Sequence, residues 1–138
     1  MSYEEKGTWV YLAVTLAVYA GYLVAVLAQV QTPLADTAYQ VPLLVAIGIA
    51  VLATVVLRVI VEILNPSESH QVDTRDRDID RTGTIRTWWL VIFGALVALS
   101  MALAEWPHFW IANAIYLGFV LQAAASSVVK IVAYRRGL

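Results

Sequence analysis

The residues best equipped for chemistry gather in one stretch, His70 to Trp89, where Asp73, Asp76, Asp78 and Asp80 are laced with Arg75, Arg77 and Arg81. Asp76, Asp78 and Asp80 have the D-x-D-x-D opening of a calcium loop. Such a loop requires glycine at its sixth position and a bidentate glutamate at its twelfth. Those places hold Arg81 and Thr87, and three arginines compete with any cation. No metal and no cofactor is expected. The chain has no cysteine, which excludes thiol chemistry. Nor does it offer a nucleophile–base pair, a phosphate-binding glycine loop or paired intramembrane carboxylates. It reads as non-enzymatic.

What positions these charges is a chain unlike a soluble domain. Of its 138 residues 61% are hydrophobic and 14% charged, where a soluble domain carries roughly a quarter charged. Four stretches, about 8–30, 41–64, 88–104 and 109–134, are almost free of charge. A membrane helix needs about 20 apolar residues. The third stretch is the shortest, with Trp88, Trp89 and Trp106 as interfacial anchors at its ends. The first is too long for a signal peptide and is followed by no small-residue cleavage site. The fold expected is all-α: a four-helix transmembrane bundle forming a single integral membrane domain, 1–138, with a charged loop at 65–87.

Orientation follows from the basic residues. Lys6 precedes span one, Arg75, Arg77, Arg81 and Arg86 separate spans two and three, and Arg135 and Arg136 follow span four. The connections 31–40 and 105–108 contain no Lys or Arg. The positive-inside rule then places both termini and the long loop in the cytoplasm, with the protein in the cell membrane. His70 and His108 fall on opposite sides and cannot share a zinc. The loop's balanced charge argues against direct nucleic-acid binding.

Span four laid on span two at an offset of 72 pairs ATVVLRVIV, 53–61, with ASSVVKIVA, 125–133. Arg58 falls on Lys130, Thr54 on Ser126 and Ala46 on Gly118, while TWV at Thr8 and TWW at Thr87 open the two hairpins. The pattern suggests a parallel internal repeat, although a small apolar alphabet also aligns by chance. Small or polar residues recur every four positions: Ala13, Ala17, Gly21, Ala25 and Gln29; Ala46, Ala50, Thr54, Arg58 and Glu62; Gly94, Ala98 and Ala102; Ala114, Gly118, Gln122, Ser126 and Lys130. Such stripes form packing seams between membrane helices. The functional alternative is an intramembrane polar cavity lined by Thr54, Arg58, Glu62, Asn113, Gln122, Ser126 and Lys130. Arg58 and Glu62, spaced i, i+4, can pair. Arg58 and Lys130 lie near the inner span ends, within snorkelling reach of the headgroups.

The loop itself reads as a helix, with Asp73 as N-cap and Gly83 as its terminator. Arg75–Asp78, Asp78–Arg81, Asp73–Arg77 and Arg77–Asp80 are then ladder pairs worth a few tenths of a kcal/mol each at most. Only Val72 and Ile79 offer apolar surface, so the run is either a solvated connector or a charged docking face. A face of this kind selects partners more than it adds affinity.

DTRDRDIDRTG, with the closing HFWIANAIYLGFVLQAAASSVVKIVAYRRG, resembles a family of small, mostly uncharacterised bacterial membrane proteins of actinobacterial type. Members carry a DERDREI-like motif before the third helix and a KxxAYRRG-like tail; Thr74 stands here where glutamate is usual. The resemblance covers about Asp73 to Gly137. It implies a partner such as a Cro-type helix-turn-helix regulator encoded nearby.

The expected function is therefore a sensory or regulatory partner of a cytoplasmic protein. Asp73, Arg75, Asp76, Arg77, Asp78, Asp80 and Arg81 form the docking face, and membrane lipid and a second copy of the chain are further partners. Alternatives are a small transporter or channel and a structural subunit of a membrane complex. A proton-coupled multidrug exchanger fits less well, since span one has no acidic residue between Glu5 and Asp36.

Overall fold

The computed structural model describes residues 3–64 and 74–136, apart from the side chains of Tyr3, Glu4, Arg58, Val61, Glu62 and Leu64. Every described element is helical: α1 (Tyr3–Leu27), a single 3-10 turn (Leu34–Asp36), α2 (Gln40–Leu64), α3 (Thr74–Thr87), α4 (Trp89–Leu103) and α5 (His108–Arg136). By length and composition, four helices can cross a membrane, with α3 and α4 counted together as a 30-residue rod, Thr74–Leu103.

That pairing answers a question of length. The 15 residues of α4 span about 22 Å at 1.5 Å per residue, short of a bilayer core of about 30 Å. The shortfall is met from α3. Gly83 does not end the charged helix, contrary to the expectation from its sequence, because it sits at a helix–helix contact instead of at a C-cap. The boundary falls four residues later. There the Thr87 hydroxyl donates to the Gly83 carbonyl at 2.8 Å, a back-bond that bends helices, and Trp88 accepts a tight i+3 bond from the Val91 N–H at 3.0 Å.

The helices lie in the spatial order α2, α1, α5, α4, each packed on the next, and α3 runs along α5. Trp9 near the start of α1 lies under the Arg135 guanidinium at the end of α5, 5.6 Å from the ring centroid. Both described chain ends, and α3, therefore share one end of the molecule. At the other end, Gln31 N–H donates to Thr37 Oγ1 at 3.0 Å, and Tyr39 meets Phe109 edge-on at 5.4 Å. The first connection is thus folded down onto α5. The second is a Schellman turn: Trp106 N–H reaches the Met101 carbonyl at 3.0 Å and Glu105 N–H the Ala102 carbonyl at 3.1 Å. Glu105 occupies its left-handed position, φ 55°.

The small-residue stripes divide. Gly94 and Gly118 form the closest approach of α4 and α5: a Cβ on Gly94 would lie 3.0 Å from the Gly118 Cα, and one on Gly118 would lie 3.2 Å from the Gly94 Cα. Ala98 and Ala46 are buried as well. The stripe of α1 is not a seam. A Cβ on Gly21 would meet nothing within 4 Å, and Ala13 and Ala17 are exposed. The buried face of α1 is built from large residues, Tyr22 and Val26, because tyrosine rings fill the wider gap to α5.

Candidate functional site

Three polar residues of α5, Gln122, Ser126 and Lys130, face α3. Ile79, Gly83 and Thr87 recur every four residues, are all buried, and turn toward α5. Gly83 permits the contact: a Cβ there would lie 2.6 Å from Lys130 Cγ, 2.9 Å from Lys130 Cε and 3.2 Å from the Ser126 carbonyl oxygen. The aliphatic stem of Lys130 therefore lies across the glycine, and its ammonium reaches Asp80 Oδ1 at 2.6 Å. Lys130 is 19% exposed and Asp80 71%, so the pair is worth at most about 1 kcal/mol. Two turns along, Gln122 Nε2 donates to Thr87 Oγ1 at 3.4 Å, a long and weak bond. Between them the Ser126 hydroxyl is buried and, among the described residues, has no hydrogen-bond partner. The result is a polar seam on a glycine.

The residues expected to line one cavity are distributed over three places. Gln122, Ser126 and Lys130 belong to the α3–α5 seam. Thr54, half-buried on α2, returns its hydroxyl to the Ala50 carbonyl at 2.7 Å. Asn113 sits in the other half of α5, accepting from Tyr22 Oη at 2.7 Å and donating to the Phe109 carbonyl at 2.8 Å. Around it Tyr19, Tyr22 and Tyr116 pack ring to ring, with centroids 5.1 to 6.3 Å apart. The side chains of Arg58 and Glu62 lie outside the described residues.

Of the docking residues, Asp73 lies outside the described residues, Asp76 is half-buried, and Arg75, Arg77, Asp78, Asp80 and Arg81 are exposed. Asp80 pairs across to Lys130 of α5 rather than with Arg77 along its own helix, as the i, i+3 spacing suggested. Because Ile79, Gly83 and Thr87 are turned inward, helical geometry turns Arg77, Asp78 and Arg81 outward. Gly83, expected only as a helix terminator, and Thr87, expected only as the opening of a hairpin, are both site residues. The signal was there: their four-residue spacing from Ile79 continues, three and four residues at a time, through Leu90 to Gly94 and Ala98. Comparison with known families, with curated proteins and with solved structures returned no match.

Proposed function

We propose that the chain is a non-enzymatic membrane relay that presents α3 to a protein partner in the cytoplasm, with the four apolar helices responding to the state of the surrounding lipid. The observation that carries this reading is the seam. α3 is fastened along a spanning helix by Gly83, Lys130, Asp80 and Thr87, so its charged outer face moves with the bundle. A loose connector would transmit nothing. A ledge continuous with α4 and stapled to α5 is displaced whenever the α4–α5 contact at Gly94 and Gly118 changes. Charge placement supports the cytoplasmic side, because Lys6, α3, Arg135 and Arg136 all lie at the same end of the molecule. The resemblance of the DTRDRDI stretch favours a helix-turn-helix regulator as that partner. The transporter reading gains no support from this arrangement, since Gln122 and Lys130 are engaged by α3, Asn113 by Tyr22 and Thr54 by its own helix.

The test uses charge reversal on the outer face. Arg77→Glu with Arg81→Glu leaves the seam and the spans in place, while repulsion at a complementary interface costs several kcal/mol. Partner recovery from native membranes should disappear for this variant and survive Thr54→Ala. Undiminished recovery with the reversed charges would remove α3 from the interface.

A further inference from the structure

α5 packs through two opposite faces. Gly118 and Ser126 turn to α4 and α3, whereas Asn113 and Tyr116 meet Tyr22 and Tyr19 of α1. Subtracting the repeat offset of 72 carries the first face onto Ala46 and Thr54, which are buried and half-buried on the side of α2 that meets α1. Each hairpin therefore closes with the same face of its second helix. The same shift carries Asn113, Tyr116 and Val120 onto Val41, Leu44 and Gly48. Val120 is 8% exposed, whereas Val41 and Leu44 are each 70% exposed. A Cβ on Gly48 would meet nothing within 4 Å. The positions of α2 that match the α1-facing side of α5 are thus left uncovered within one chain.

Within the chain that face on α5 is taken by α1, the first helix of the other hairpin. The equivalent helix for α2 is α4, which the row α2, α1, α5, α4 holds at the far end of the same molecule. We infer that the face of α2 around Leu44 docks on α4 of a second copy of this chain, continuing the α1–α5 interface from one molecule to the next. α4 is shaped to receive it. Phe93, Val97 and Met101, one turn apart, form the ridge between two unfilled grooves of about 320 and 410 Å³. Ser100 and Trp106 close the second groove. Depth agrees as well. Leu44 lies four residues inside α2 from Gln40, and Val97 six residues inside α4 from Leu103, levels within about 3 Å of each other at 1.5 Å per residue. Two such contacts related by an axis along the membrane normal give a closed ring of two chains, with no exposed docking face left over.

The natural chain has no cysteine, so disulfide trapping in native membranes starts from zero background. A copy bearing Leu44→Cys is co-expressed with a differently tagged copy bearing Val97→Cys, and both are oxidised in the membrane. The expected result is a dimer carrying both tags as the main product. Replacing the second copy by one with Leu23→Cys, exposed on α1, should abolish it. A dominant Leu44–Leu44 product would mean that α2 packs on itself, and it overturns the proposal. So does the absence of any trapped dimer while both cysteines react with a lipid-soluble maleimide, the outcome expected if lipid alone covers these faces.

Discussion

Glycines divide this chain into places where a side chain is forbidden and places where it is merely missing. Gly94 and Gly118 stand backbone to backbone, and neither Cα can swing aside as a side chain would. Gly94→Leu or Gly118→Leu should therefore lower stability in detergent by about 1–3 kcal/mol or more through overpacking. Gly21→Ala, in open space, should be neutral or gain up to about 1 kcal/mol from helix propensity. Thermal unfolding that ranked the three alike would dismiss the Gly94–Gly118 contact. Ser126 makes an opposite kind of point. Its hydroxyl is buried without a partner, so Ser126→Ala should cost nothing measurable and can stabilise, because an unsatisfied polar group is removed along with its desolvation.

At the scale of elements, α3 decides how the charged stretch behaves. It is polar almost throughout, and an isolated helix of 14 residues is marginal in water. Packing along α5 holds it. Gly83→Leu would drive a branched side chain into Lys130 and against the Ser126 carbonyl, lifting α3 off α5. The measurable consequence is amide exchange across Thr74–Thr87 accelerated to near the unprotected rate, with the far half of α4 and α5 still protected. Uniform protection in the variant would mean that α3 does not depend on the seam. Lys130→Met, which keeps the stem and removes the charge, should have a far smaller effect, since the half-exposed pair is worth at most about 1 kcal/mol. The turn between α4 and α5 is a separate case. Glu105 holds a positive φ that glycine adopts freely, so Glu105→Gly should raise stability by roughly 1 kcal/mol.

For the whole molecule the decisive quantity is which end faces the cytoplasm. Thr82 on α3 and Asp36 in the first connection are both exposed and lie at opposite ends. In intact cells a cysteine at Asp36 should react with an impermeant thiol reagent, and one at Thr82 should react only after the membrane is opened. Thr37, though next in sequence to Asp36, is 2% exposed and its hydroxyl accepts from the Gln31 N–H, so it would report burial rather than sidedness. The reverse labelling pattern would move α3, and any partner it binds, to the other side.

Four apolar helices were legible in the sequence, whereas the extension of the third by the charged helix α3 was not. The first follows from the bilayer: transfer of unpaired backbone and of charge into hydrocarbon is so costly that helix and hydropathy are set locally. Which faces meet was legible only in part. Gly94, Gly118 and Ala46 behave as the small-residue rule expects, whereas Gly21 does not, because the rule says that close approach needs small residues and not that every small residue is approached. The neighbours of Gln122, Ser126 and Lys130 were decided by tertiary structure alone. Their stripe on α5 is compatible with α2 or with α3 as neighbour, and the choice rests on Gly83 and on Asp80 beside it, which is 50 residues from Lys130 in sequence. A spacing within one helix fixes a face. Only the packing of the other helices determines what that face will touch.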